Sequence, residues 1–135
     1  MSGYRFYLLS IDLEKYIMHN ILVIEDEKSL AFLTAIALTK SGFNVEKAED
    51  GLEGIKKFDE GRFDLVITDI LMPGLDGNGV VRHIRNSIRQ STPVIGVSGT
   101  PWLLKDSDFD AVLSKPSSIK TLVDTVKNLT SSIHK

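Results

Sequence analysis

DLVITDILMPGLDG, residues 64–77, is the stretch from which the rest of the chain can be read. Leu65-Val66-Ile67 is a short apolar run rich in β-branched residues, and Met72-Pro73-Gly74 follows it. That pattern predicts a buried strand ending in a turn, with Asp69 just past the strand. In an open parallel α/β sheet, ligands bind outside the carboxyl ends of the strands, where loops hold reactive groups against a rigid support. A lone aspartate there is more often a turn former or a helix cap, so other stretches must decide its role.

Three do. ILVIEDE, residues 21–27, puts Glu25 and Asp26 at the end of another apolar run. PVIGVSGT, residues 93–100, does the same for Ser98, and DAVLSKP, residues 110–116, for Lys115. A solvated surface would not repeatedly set carboxylates, a hydroxyl and an ammonium directly behind hydrophobic runs. Clustered carboxylates repel by roughly 4 kcal/mol per pair at about 4 Å and an effective dielectric of ~20, so the set needs a positive partner. Oxygen-only ligands suit a hard cation such as Mg²⁺, and Lys115 adds a point charge suited to a phosphate or a carboxylate.

In this order and spacing the four stretches resemble the receiver domain of bacterial two-component response regulators, of the stand-alone kind typified by the chemotaxis regulator. The resemblance covers about residue 20 to the C-terminus. It implies that Asp69 is the phosphoacceptor, forming an acyl phosphate from the phosphohistidine of a partner histidine kinase or phosphotransfer protein. It further implies that Asp26 and Asp69 bind Mg²⁺ directly with the backbone carbonyl of Leu71, while Glu25 acts mainly through a metal-bound water. Ser98 and Lys115 would bond the phosphoryl oxygens, and Pro116 would follow the lysine through a cis bond. The implied role is a cytoplasmic signalling switch that acts through a downstream effector protein. The resemblance implies that it would catalyse its own phosphorylation and slow dephosphorylation without metabolic turnover.

The whole chain, 135 residues with 42% hydrophobic and 25% charged, has the size and composition of one soluble domain. A net charge of −2 argues against direct nucleic-acid binding, and the absence of cysteine excludes disulfides, thiolate metal sites and thiol catalysis. Residues 1–18 form an N-terminal extension that the resemblance does not cover, with residues 19–135 as the receiver domain. Tyr7-Leu8-Leu9 is too short to span a bilayer, and no small-residue cleavage site follows it. Tyr4, Phe6, Leu8, Ile11, Leu13 and Ile17 could make a strand or short helix that packs on the domain or on a second copy, as a homodimer; alternatively, Met18 is the natural start.

Periodicity predicts strands over 20–24, 43–48, 65–68, 93–97 and 111–113. It predicts helices over 27–41 (stripe Leu30, Leu33, Ala37, Leu38), 50–58 (Leu52, Ile55, Phe58), 77–88 (Val80, Val81, Ile84, Ile88) and 117–133 (Ile119, Leu122, Val123, Val126, Leu129). Alternating strands and helices imply a parallel sheet covered on both faces with right-handed crossovers. The half-polar second strand suits an edge. That fits a flavodoxin-like three-layer sandwich of order 2-1-3-4-5, in which Glu25, Asp26 and Asp69 meet at the switch point.

Two departures from the family concern its output half. The segment from Ser98 to Lys115 is short and carries Pro101, Trp102 and Lys105-Asp106-Ser107-Asp108, so the fourth helix is expected to be shortened or missing. Val112 stands three residues before the lysine, where the family often has a rotating aromatic. Trp102 is expected to cover the edge of the core rather than to anchor a partner. Asp76 reads as a cap, and His19, His83 and His134 share no ligand spacing. A haloacid-dehalogenase-like phosphatase would need a second acid at position 71, which is Leu71, and no phosphate-binding glycine loop is present. The remaining alternative is a phosphorylation-independent binding scaffold with the same fold.

Overall fold

The computed structural model describes residues 18–104 and 108–131. Among these, five strands and four α-helices alternate: β1 (Asn20–Ile24), α1 (Lys28–Lys40), β2 (Asn44–Ala48), α2 (Gly51–Glu60), β3 (Leu65–Asp69), α3 (Gly77–Arg85), β4 (Val94–Ser98), β5 (Ala111–Ser114) and α4 (Ile119–Ser131). All strand pairs are parallel and the order is β2-β1-β3-β4-β5, the expected flavodoxin-like sheet. A 3₁₀ turn (Pro101–Leu103) is the only helical piece among the described residues of the β4–β5 connection, in line with the expectation that the family's fourth helix is shortened or missing. The reading of residues 1–17 as a packed strand or helix lies outside the described residues, as do His134 and most of the polar run at 105–108.

The period of two along each central strand builds the three layers. Leu22 and Ile24 of β1 and Val66 of β3 face one core with Phe58, Val80 and Ile84 from α2 and α3. Ile21 and Val23, with Leu65 and Ile67, face the other, against Leu38 of α1 and Leu122 and Val126 of α4. Continuous burial of β3 and near-continuous burial of β1 fits central parallel strands covered on both sides.

Helix ends follow local chemistry. Asp50 and Asp76 cap α2 and α3 by accepting from the N–H groups of Glu53 (2.8 Å) and Gly79 (2.9 Å). Ser118 does the same for α4, accepting from Thr121 N–H at 3.0 Å. Gly42, with φ 97°, closes α1 as expected. Gly77 opens α3 so close to β3 that a Cβ there would lie 2.6 Å from the Asp69 carbonyl oxygen. Only glycine lets this helix start against the strand end that carries Asp69.

The helix faces differ from the periodic stripes in places. α1 turns Ala31, Thr34 and Leu38 inward, and Leu33 is 58% exposed. The helix is apolar on both sides, so its pattern does not fix its rotation. α2 buries Gly51, Gly54 and Phe58 while Leu52 is exposed, because the glycines let the helix sit directly on Ile24 and Leu75. α3 stops at Arg85 and leaves Ile88 97% exposed. There the Ser87 hydroxyl donates to the Ile84 carbonyl and accepts from Arg89 N–H, a local alternative to the helical ladder. Ile119 is half-exposed at the first turn of α4, and Ile133 lies outside the described residues.

Trp102 does not cover the core edge; it is 70% exposed. The open face of β4 is instead closed by Phe109, which packs against the core of the α2–α3 side. Arg85 secures this irregular connection. Its guanidinium donates to the carbonyls of Gln90 (2.7 Å), Thr92 (2.7 Å) and Asp108 (2.8 Å) and to the Asp110 carboxylate (2.8 Å). No helix among the described residues is long and apolar enough to cross a membrane.

Candidate functional site

The register that pairs Ile24 with Thr68 brings Glu25, just past β1, beside Asp69, which is the last residue of β3 rather than one beyond the strand as expected, at the carboxyl end of the sheet. Glu25 is 8% and Asp69 5% exposed, whereas Asp26 is open to solvent. One carboxylate oxygen from each of the three lies within 4.8 Å of the others. The Glu25 backbone is fixed by its N–H to the Ala48 carbonyl at 3.0 Å, and its side chain accepts from Glu27 N–H at 3.1 Å.

Lys115 enters from the loop between β5 and α4. Its Nζ donates to Asp69 Oδ2 at 2.8 Å and lies 3.4 Å from Glu25 Oε1. The loop is anchored by Lys115 N–H to the Ser98 carbonyl at 2.8 Å, and the Lys115-Pro116 peptide is cis. Ser98 is buried at the end of β4, and its Oγ accepts from Thr100 N–H at 3.0 Å. The structure thus brings Glu25, Asp26, Asp69 and Lys115 into one cluster, with Ser98 at the neighbouring strand end. Leu71 lies two residues beyond Asp69 with its side chain 74% exposed.

Burial pushes the Glu25 carboxyl up to about 7; the Asp69 and Asp26 carboxylates push the same way, against the Glu27 N–H and the Lys115 charge. Burial works against the Lys115 ammonium, but its bond to Asp69 and the charges of Glu25 and Asp69 outweigh that and hold its pKa above the ordinary lysine value. One ammonium against three carboxylates leaves the cluster short of positive charge. Its all-oxygen donor set fits a hard divalent cation of the Mg²⁺ type, which takes one or two carboxylates and keeps several waters.

The two described histidines, His19 and His83, stay out of the cluster. His83 Nε2 is 2.9 Å from Asp59 Oδ1, and His19 sits beside Phe43 with Nδ1 3.6 Å from Asp64. Sequence reasoning missed the Glu27 N–H and the Arg85 staple. The first is a backbone group and the second reaches across 25 residues to Asp110, so neither leaves a sequence pattern.

A family model described as the response regulator receiver domain matches residues 21–127. The chain is 36% identical over 117 residues to the uncharacterized transcriptional regulatory protein YclJ of Bacillus subtilis, covering 79% of this chain and 48% of that protein. The chain spans about half the length of the curated relatives it matches. Among solved structures it is similar to response regulator protein TrrA from Thermotoga maritima in complex with Mg²⁺-BeF, with TM-score 0.76, 33% identity and coverage of 83% of this chain and 99% of that one. It is also similar to chemotaxis response regulator CheY4 of Vibrio cholerae, with TM-score 0.74, 26% identity and coverage of 84% and 99%.

Proposed function

The chain belongs to the response regulator receiver domains of two-component signalling, and from that membership we propose that residues 19–135 form a switch phosphorylated on Asp69. Asp69 Oδ attacks the phosphorus of a phosphohistidine on a histidine kinase or phosphotransfer protein. The new P–O bond replaces the P–N bond, and the imidazole nitrogen leaves with the electron pair. The observation that carries this reading is the 2.8 Å bond from Lys115 Nζ to Asp69 Oδ2 inside the carboxylate cluster. A cation held on a buried strand-end carboxylate is placed to accept the charge of a transferred phosphoryl.

Asp26, Asp69 and the Leu71 carbonyl would hold Mg²⁺, with Glu25 acting through water, and the ion would supply neutralisation of charge on the phosphoryl oxygens. Lys115 exchanges its carboxylate partner for a phosphoryl oxygen. The Ser98 hydroxyl, which already accepts from Thr100 N–H, keeps its proton free to donate to another. That pull biases the loop after β4 between two arrangements, which a downstream effector reads. Incubating the full chain with Mg²⁺ and acetyl phosphate is expected to add one phosphate by intact mass, lost in Asp69→Asn. No incorporation by the native chain overturns the proposal.

A second reading, a phosphorylation-independent scaffold, is favoured by the 3₁₀ turn that is the one helical piece among the described residues of the β4–β5 connection, and by Val112 on β5. Amide exchange over residues 98–118 with and without beryllofluoride separates the two. A scaffold shows the same protection in both states, and a switch does not.

A further inference from the structure

Beside Asp69 a cavity of ≈ 320 Å³ runs inward between α1 and α4. Its walls include Val23, Leu30, Thr34, Ile67, Ile119 and Leu122. From α1, Leu30 and the small, buried Thr34 line it, while Leu33 points outward. Its size falls in the range of small-molecule pockets, roughly 300–1,000 Å³, which are apolar with a few convergent polar groups. A dry cavity of about 150 Å³ already takes benzene, so this one has room for a phenyl ring with a short alkyl chain.

Its lining holds three carboxylates, Glu25, Glu27 and Asp69, against a single ammonium, Lys115, which lies on Asp69 and Glu25. An anionic head is repelled there, and a neutral head leaves the acidic excess uncompensated. A cation complements it. We propose that this cavity binds a small amine whose apolar body lies between α1 and α4 and whose ammonium head rests on the acidic rim. The head occupies carboxylates that the proposed function gives to Mg²⁺, so amine and metal exclude one another, and by linkage each weakens the other equally. Only that coupling rests on the phosphoacceptor reading; binding of the amine does not.

The test is calorimetric titration of the full chain, free of metal, with 4-phenylbutylammonium, 4-phenylbutanol and 4-phenylbutanoate. The amine is expected to bind about tenfold more tightly than the alcohol, with no binding of the carboxylate. Thr34→Met fills the cavity, and Ile119→Trp blocks its mouth from a half-exposed position that tolerates bulk; each is expected to weaken the amine about tenfold. Equal affinity for all three heads, no binding of the amine, or unchanged affinity in both folded variants overturns the proposal. Saturating Mg²⁺ is expected to raise the apparent Kd of the amine, and no change overturns the coupling. Beryllofluoride binding is measured on the same protein. Beryllofluoride without amine binding removes the cavity proposal alone, and amine without beryllofluoride binding removes the phosphoacceptor reading alone.

Discussion

The ring of Phe109 lies on the backbone of Gly96, so near that a Cβ built at that glycine would come within 3.0 Å of Phe109 Cδ1 and of Ile70 Cδ1. One aromatic side chain therefore closes a face that a crossover helix would otherwise cover. Phe109→Ala is expected to cost about 2 kcal/mol, below the full penalty for a buried aromatic because the ring is only partly buried. Urea denaturation checks this, and a loss under about 0.5 kcal/mol would show that the ring contributes no more than an ordinary surface residue.

Glu25 gives the metal-free protein a pH dependence of defined sign. Its carboxyl is raised from 4.5 to about 7 on folding, so between those values the native state holds more protons than the unfolded one. The Glu25 contribution to stability therefore falls as pH rises from 4.5 to about 7 and flattens above it. Glu25→Gln removes this contribution and is expected to be more stable than the native chain by about 2 kcal/mol at pH 8, with little difference at pH 4. Thermal or urea unfolding of both chains without metal is the check, and a difference independent of pH would contradict it.

On the proposed reading, Lys115 and a divalent cation compensate the same charges. Lys115→Ala leaves Asp69, 5% exposed, without its 2.8 Å partner. A loss of about 2 kcal/mol is expected without metal, since uncompensated buried charge is the main cost of breaking such a pair. Added Mg²⁺ should then raise the melting temperature of the variant more than that of the native chain. An equal rise in both would mean that ammonium and metal act on separate groups.

On the proposed function, Leu71 bears on the lifetime of the phosphorylated state. Its exposed side chain has no atom able to hold or orient an attacking water, so self-dephosphorylation is expected to be slow. Leu71→Asn supplies a donor and an acceptor and is expected to hasten phosphoryl loss about tenfold, equivalent to 1.4 kcal/mol in the barrier. Following the decay after donor removal tests both statements. A half-life of seconds in the native chain would contradict the first.

The sheet was legible in the sequence because the apolar runs of β1, β3 and β4 need no knowledge of their neighbours to be recognised as buried strands. The acidic and basic strand ends were legible for the same reason, since each follows such a run directly. Helix rotation was less so. α1 is apolar all round, and only the packing of Ala31 and Thr34 against the sheet turns Leu33 outward. The exposed Trp102 and the substitution of Phe109 for a helix depend on contacts between distant segments, as does the Arg85 network, and a one-dimensional period carries no trace of them.

Between Ser98 and β5 the described backbone offers one turn, Pro101–Leu103, in place of a long rod. A rod pivoted at one end magnifies a small displacement into a large one at its tip; a single turn has almost no tip. On the proposed switch, motion begun at Ser98 would stay close to where it starts, and the molecule that detects it would be expected to touch the rim of the acidic cleft rather than a remote face.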